Sequence, residues 1–346
     1  MSIRLPAEWE PQSATLLTWP HADSDWADNL ASVEAVYREV VAALLPRQAV
    51  LIVCQSVAHR AHVASQCPAG DGIHLAIAPS NDSWTRDHGP ITVLDGNRPV
   101  LLDFDFNGWG EKYPAERDNA ITATLHQTKV WPGIERRAPG MVLEGGALET
   151  DGQGSLLATR SSILSTSRGN GNQPRIEAHL RKWLGIRRFL WLSNGRLSGD
   201  DTDGHIDTLA RFVDAGHIVH VSCRPDDPDY ARIERMIAEL QALRDANGRP
   251  YRLTALPAPA AMSSDDGRRL AASYANFLIA NDQLLAPVYG LDSDQAALRS
   301  LAACFPERDI IAIDCRALIE QNGSLHCISM QLPDGVPLNP DLKPTP

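Results

Sequence analysis

Two spacings of apolar residues take turns along this chain. Leu30, Val33, Val36, Val40 and Leu44 recur at helical spacing within residues 29–45, and Pro46 ends that pattern. Residues 49–54 (AVLIVC) then read as an apolar strand, 57–67 as a second helix and 73–78 as a second strand. Residues 99–106 begin as an apolar run and end in strand-like alternation. A helix over 174–184 precedes a strand over 188–192. Residues 206–213 and 217–221 read as a hairpin about Asp214-Ala215-Gly216. The helix at 229–243 follows Asp226-Asp227-Pro228, whose negative charge suits the positive end of the helix dipole. A strand at 251–256, a strand pair at 277–280 and 284–288 around Asn281-Asp282, a helix at 293–304 and a strand at 309–314 complete the series.

Strand pairs and helices therefore recur at roughly 60–70-residue intervals, which predicts about five units alike in pattern but not in sequence. A chain of 346 residues is within reach of one large α/β domain, and residues 1–346 are read as one. A doubly wound sheet would give the same alternation. It would also bring a glycine-rich strand-to-helix turn, and no GxGxxG or Walker sequence is present. Gly169-Asn170-Gly171-Asn172 reads as a plain loop.

Charge narrows the partners. Lys and Arg number 32 against 43 Asp and Glu, a net −11, which disfavours nucleic acid and anionic membrane surfaces. No apolar stretch is long enough to span a bilayer, and the opening MSIRLPAEWEPQ has no signal-peptide pattern, so a cytoplasmic location is expected. None of the six cysteines forms a CxxC pair or fits a zinc-knuckle spacing. They are expected as reduced thiols, with Cys54 and Cys315 acting as apolar fillers of strand-like runs.

Four segments carry more polar chemistry than a fold needs. Ser83–Pro90 (SWTRDHGP) taken alone reads as a turn. Gly199–Asp207 (GDDTDGHID) packs four carboxylates and a histidine together. Asp200, Asp201 and Asp203 read as a solvated acidic loop, whereas His205 and Asp207 open an apolar strand at i and i+2 and should share a face. In Leu143-Glu144-Gly145-Gly146 a carboxylate ends an apolar strand before two glycines. In Asn322–Ser329 (NGSLHCIS) Cys327 follows a flexible turn. His326 is its neighbour, but on a strand the two side chains would point apart. The general base for Cys327 must therefore come from elsewhere, with His205 the candidate.

A thiol, a histidine and the carboxylates Asp87, Glu144 and Asp207 form too acidic a set for peptide hydrolysis alone. The set makes sense if the substrate is a cation. A guanidinium presents a planar fork of N–H donors that carboxylates accept, and it neutralises carboxylates that would be costly to bury.

The motifs WTRDHGP, FNGWGEKYP, LEGG, DTDGHID, SYANF and LHCISMQLP, in this order, resemble the agmatine deiminases, grouped with the peptidyl-arginine deiminases of the Porphyromonas type. The opening LPAEWEPQSATLLTWPH resembles that family's start. The resemblance implies the pentein fold, a five-bladed α/β propeller of ββαβ-type units. It implies Cys327 as nucleophile, His205 as acid/base, Asp87 and Asp207 as holders of the guanidinium, and Glu144 as the group that orients the histidine. Trp84, Trp109 and Asn276 would line the substrate. The implied reaction converts a guanidinium to a ureido group with release of ammonia through an amidino-cysteine. Agmatine is the expected substrate, no cofactor or metal is needed, and a homodimer or larger assembly is the family's precedent.

The chain departs from the family pattern in three places: Gln321-Asn322-Gly323-Ser324 before the cysteine motif, Ser329-Met330-Gln331 after it, and Thr159-Arg160-Ser161-Ser162. These leave open which residues hold the substrate's tail. Arginine and peptidyl-arginine remain alternatives, for which Arg86, Arg160 or Arg168 could hold a carboxylate. A metal-dependent hydrolase built on Asp200–Asp207 and a non-catalytic guanidine-binding protein are the readings from other classes.

Overall fold

The chain's last strand pairs with its first long one. In the computed structural model, which describes residues 3–68 and 70–344, Ser329–Pro333 runs antiparallel to Gln12–Thr18. After Gln12–Thr18 come the helix Leu30–Leu44 and the parallel strand Ala49–Cys54, then the helix Val57–Gln66 and the parallel strand Ile73–Ile77.

Four more units repeat the same order: an antiparallel pair, a helix, and a strand returning parallel to the second of the pair. The second unit pairs Ile91–Asp95 with Arg98–Leu102 and returns through Glu116–Gln127 to Glu135–Arg137. The third pairs Glu149–Thr150 with Ser155–Thr159 and returns through Gln173–Leu184 to Arg188–Leu192. The fourth pairs Ala210–Asp214 with His217–His220 and returns through Tyr230–Ala242 to Arg252–Ala255. The fifth pairs Leu278–Ala280 with Gln283–Val288 and returns through Asp294–Cys304 to Asp309–Asp314. These are the five ββαβ units of the pentein type. Among the described residues no helix is long and apolar enough to cross a membrane.

The burial pattern explains why the strands read as apolar runs. Along Ala49–Cys54, Val50, Ile52 and Cys54 face one apolar core while Leu51 and Val53 face another. A parallel strand covered on both faces has no polar side to show. Helices instead bury one stripe: Val33, Val36, Tyr37, Val40, Val41 and Leu44 of Leu30–Leu44 are buried. Each such aliphatic side chain contributes about 1.5–3 kcal/mol on leaving water, and truncating Leu44 to Ala would cost about 2–5 kcal/mol.

The predicted elements at 29–45, 49–54, 57–67, 73–78, 174–184, 188–192, 229–243, 251–256, 293–304 and 309–314 form within a residue or so of their expected ends. Two readings need correction. The strand expected over 206–213 begins only at Ala210, and Ile206–Thr208 is a turn of 3₁₀ helix. The run at 99–106 leaves its sheet at Leu102, and Asp105 then bridges to Val142.

The repeat positions the chemistry. Each antiparallel pair is preceded by a short non-strand segment: Asp87 before Ile91–Asp95, Glu144 before Glu149–Thr150, His205 and Asp207 before Ala210–Asp214, Asn276 before Leu278–Ala280, and Cys327 before Ser329–Pro333. These five segments meet at one buried place.

Candidate active site

Asp87 sits on the short helix Thr85–His88 and is held from two sides. Its Oδ1 accepts from the backbone N–H of Gly146 at 2.9 Å, and its Oδ2 accepts from the indole Nε1 of Trp109 at 2.9 Å. Trp109 reaches it from a left-handed turn, with φ of 57° between Gly108 and Gly110 at 65° and 90°. The glycines on either side tolerate that geometry, and the Asn107 side chain accepts from Gly110 N to close the turn.

His205 lies just ahead of the 3₁₀ turn, not on a strand as expected, and it is buried. Its Nδ1 is 3.5 Å from Asp87 Oδ1 and its Nε2 is 3.6 Å from Glu144 Oε2. Burial works against a charged imidazole here. The carboxylates of Asp87, Glu144 and Asp207 outweigh it and push His205 up to about 9. Glu144 flanks the turn Gly145–Ala147 and is itself buried. Desolvation opposes its ionisation, but His205 and Arg168 hold its carboxyl below the ordinary range.

Cys327 and His326 lie in a turn before Ser329–Pro333, so the alternation of a strand does not separate them. The Cys327 Sγ is 3.7 Å from Asp207 Oδ2 and 3.4 Å from Asn276 Oδ1. The same Asn276 oxygen accepts from His326 N at 2.9 Å, which ties the turn to the fifth unit. Burial and the nearby Asp207 and Asp87 carboxylates push the Cys327 thiol well above its usual range. In this state the sulfur is therefore protonated at neutral pH.

Gly146 marks the space these groups surround. A Cβ placed there would lie 2.6 Å from His205 Nδ1, 2.8 Å from Asp87 Oδ1 and 3.1 Å from Asp207 Oδ2. Asp207 Oδ1 and His205 Nε2 are buried and have no hydrogen-bond partner among the described residues. The structure thus brings together Cys327, His205, Asp87, Asp207, Glu144, Asn276 and Trp109. Trp84 lies at the side, its ring tilted 48° to that of Trp26 with centroids 5.5 Å apart, its Nε1 donating to Asp82 and its ring against Gly323.

The acidic loop has other tasks. Asp200 accepts from the backbone of Thr202 and Gly204 within its own turn. Asp201 bonds Tyr113 and Lys112, and Asp203 bonds Arg168 and Lys112. Among the described residues no group of three or more His, Cys, Asp or Glu is placed to hold a metal ion.

The arginines considered for a substrate carboxylate are also engaged. Arg86 is buried and bonds Gln331, Arg160 bonds Gln173 and lies over Trp191, and Arg168 pairs with Glu144 and Asp203. Sequence reasoning missed Arg168 as a partner of Glu144, and it missed the Glu8–His326–Asp207 contacts altogether. His326 accompanies the cysteine and Glu8 lies in the family-like opening, so both were visible as residues. Their contacts come from distant parts of the chain.

The chain is similar over nearly its whole length to known proteins. The family model for Porphyromonas-type peptidyl-arginine deiminase matches residues 4–333. The agmatine deiminase of Stutzerimonas stutzeri (strain A1501) is 33% identical over 355 residues, covering 95% of each chain. A C. jejuni agmatine deiminase with a cysteine-to-serine change and substrate bound superposes with a TM-score of 0.89 at 32% identity, covering 97% of each chain. A Porphyromonas gingivalis protein whose arginine deiminase name is provisional superposes at 0.91 with 44% identity, covering 96% of this chain and 99% of its own.

Proposed function

The chain belongs to the Porphyromonas-type peptidyl-arginine deiminase family, and from that membership and the site we propose that it hydrolyses the guanidinium of agmatine to a ureido group, giving N-carbamoylputrescine and ammonia. One observation carries the reading. Two carboxylates and a histidine surround the point marked by Gly146, and one of those carboxylates also faces the Cys327 sulfur.

Asp87 and Asp207 accept from the guanidinium N–H groups, which fixes its plane. The cation neutralises the two carboxylates that, together with burial, hold the Cys327 thiol protonated, so substrate binding lets the thiol ionise, its proton passing to solvent and returning to the sulfur after product leaves. The thiolate attacks the central guanidinium carbon and forms a C–S bond. His205, already protonated, gives its proton to one amino nitrogen. The C–N bond breaks, ammonia leaves, and a cationic amidino-thioether remains on Cys327. Neutral His205 then takes a proton from water as its oxygen bonds to carbon. Collapse expels the thiolate, and the carbonyl proton passes to solvent. Glu144 holds the imidazole and favours its protonated form. A cytoplasmic setting is in keeping with six unpaired cysteines.

Agmatine is preferred because the chain aligns over nearly its whole length with agmatine deiminases, and because Arg86, Arg160 and Arg168, the arginines that could have held a substrate carboxylate, are all engaged. One observation favours arginine as the second reading. Arg268 is exposed and bonds Asn322 beside the cysteine turn. A panel of agmatine, arginine and arginyl peptides, assayed for ammonia and ureido product, decides between them. Cys327→Ser should abolish turnover, and retention within tenfold of wild type would remove the nucleophile assignment. His205→Ala incubated with agmatine should accumulate an adduct on Cys327 by mass spectrometry. An adduct on another cysteine would refute the scheme.

A further inference from the structure

Behind Asp207 runs a chain of buried ionisable groups that the reaction scheme does not use. His326 Nδ1 is 2.8 Å from Asp207 Oδ2, and His326 Nε2 is 2.7 Å from Glu8 Oε2. That Glu8 oxygen also accepts from Arg211 Nη2 at 2.7 Å, and its other oxygen accepts from Ile279 N at 2.7 Å. Arg211 continues to Glu149 Oε2 at 2.7 Å and to the Phe277 carbonyl at 2.7 Å. His326 and Arg211 are buried, as are Glu8, Asp207 and Glu149. The N-terminal segment, the third, fourth and fifth units and the cysteine turn are thus joined through charge.

Ionised carboxylates only accept hydrogen bonds, so an imidazole between two of them satisfies both by donating from both nitrogens. Asp207 is then left with one committed oxygen and one free one. Oδ2 is taken by His326, while Oδ1 is buried and without a partner among the described residues. Without such a hold, Asp207 could rotate or take up a proton, because Asp87 and Glu144 crowd the same space.

We propose that His326 and Glu8 are positioning residues of the guanidinium clamp: Glu8 fixes His326, and His326 fixes Asp207 so that its free oxygen meets the substrate cation. The inference rests on the reading of Asp207 as a guanidinium holder. It departs from the expectation that His326 faces away from the chemistry.

The test compares two alkylating reagents of Cys327 on the full chain: a cationic haloacetamidine, which needs the clamp, and neutral iodoacetamide, which does not. The ratio of their rates reads recognition of the cation separately from thiol reactivity. His326→Gln and Glu8→Gln should each lower that ratio by about tenfold or more, the scale of a lost charge-assisted hydrogen bond. Both should raise KM for the guanidine substrate more than they lower kcat. His326→Asn, whose amide can still donate toward Asp207, should recover part of the ratio. An unchanged ratio in either folded variant overturns the positioning role. If wild-type Cys327 shows no preference for the cationic reagent, the guanidine reading fails first. Nitrogen NMR of histidine-labelled wild-type protein needs no variant to fold. The His326 Nδ1 resonance should move when a guanidinium ligand binds. An unmoved resonance would overturn the proposal.

Discussion

The Arg168 guanidinium donates from Nε to both oxygens of Glu144, at 2.7 and 2.8 Å, and both side chains are buried. Its Nη1 continues to Asp203 at 2.7 Å. Glu144 therefore faces His205 on one side and a fixed cation on the other. Arg168→Met should leave that carboxylate buried without its partner, which costs about 3–5 kcal/mol of stability in comparable pairs. We expect kcat to fall by about ten- to a hundredfold, with a smaller change in KM, because His205 loses its orienting partner's position. Adding Glu144→Gln to Arg168→Met should restore stability but not turnover. Thermal unfolding and steady-state kinetics of the single and double variants check this. Full activity in Arg168→Met would show that Glu144 needs no anchor.

The pH response follows from His205. Its folded-state value is raised from 6.5 to about 9. A raised histidine contributes stability that is fully present below about pH 6.5 and is lost as pH rises through about 9. The contribution is on the order of 3 kcal/mol. Wild-type melting temperature should thus fall between pH 6.5 and 9 relative to His205→Gln, which lacks the group. On the kinetic side the protonated imidazole supplies the leaving-group proton, so kcat/KM should fall above about pH 9. Glu144→Gln should move that break toward neutral pH. A break unmoved by Glu144→Gln would mean that another group supplies the proton.

How far the sequence could be read depended on how local each signal was. The helix Leu30–Leu44 and the strand Ala49–Cys54 announce themselves because their burial is periodic within one segment. Gln12–Thr18 and Ser329–Pro333 are harder to read from sequence, since their partnership joins the two ends of the chain, Leu17 facing Ser329. In the site, the resemblance singled out Cys327, His205, Asp87, Asp207 and Glu144, and the structure brings them together. Geometry inferred from sequence was weaker. His326 was set aside by assuming strand alternation, yet a turn lets His326 and Cys327 approach the same Asp207 oxygen. Glu8 could not be placed, because nothing within the opening segment reveals a partner at His326 or Arg211.

Gly146 offers a test of where the substrate sits. A methyl group there would meet His205 Nδ1, Asp87 Oδ1 and Asp207 Oδ2 at 2.6, 2.8 and 3.1 Å, so these side chains would have to shift from the positions in which they are assigned to hold the guanidinium. Its backbone N–H would still reach Asp87. Gly146→Ala should therefore abolish binding of agmatine in calorimetry while Cys327 remains open to iodoacetamide. Binding within threefold of wild type would place the substrate elsewhere.

The two readings of the substrate's tail separate at Asp201 and Arg268. Asp201 bonds Tyr113 and Lys112, and Tyr113 stacks edge-on to Trp109 at 5.7 Å, next to the residue that holds Asp87. Arg268 bonds Asn322, five positions before the nucleophile. If the tail is the ammonium of agmatine, Asp201→Asn should raise KM for agmatine by about three- to tenfold, the scale of a partly exposed charge contact. Arg268→Ala should then leave KM unchanged or lower it. If the tail carries a carboxylate, Arg268→Ala should raise KM for arginine by a similar factor and Asp201→Asn should not. Measuring both variants against both substrates sets the substrate class by which pair of values moves. If neither variant changes either KM beyond twofold, this rim does not select the tail and both assignments fail together.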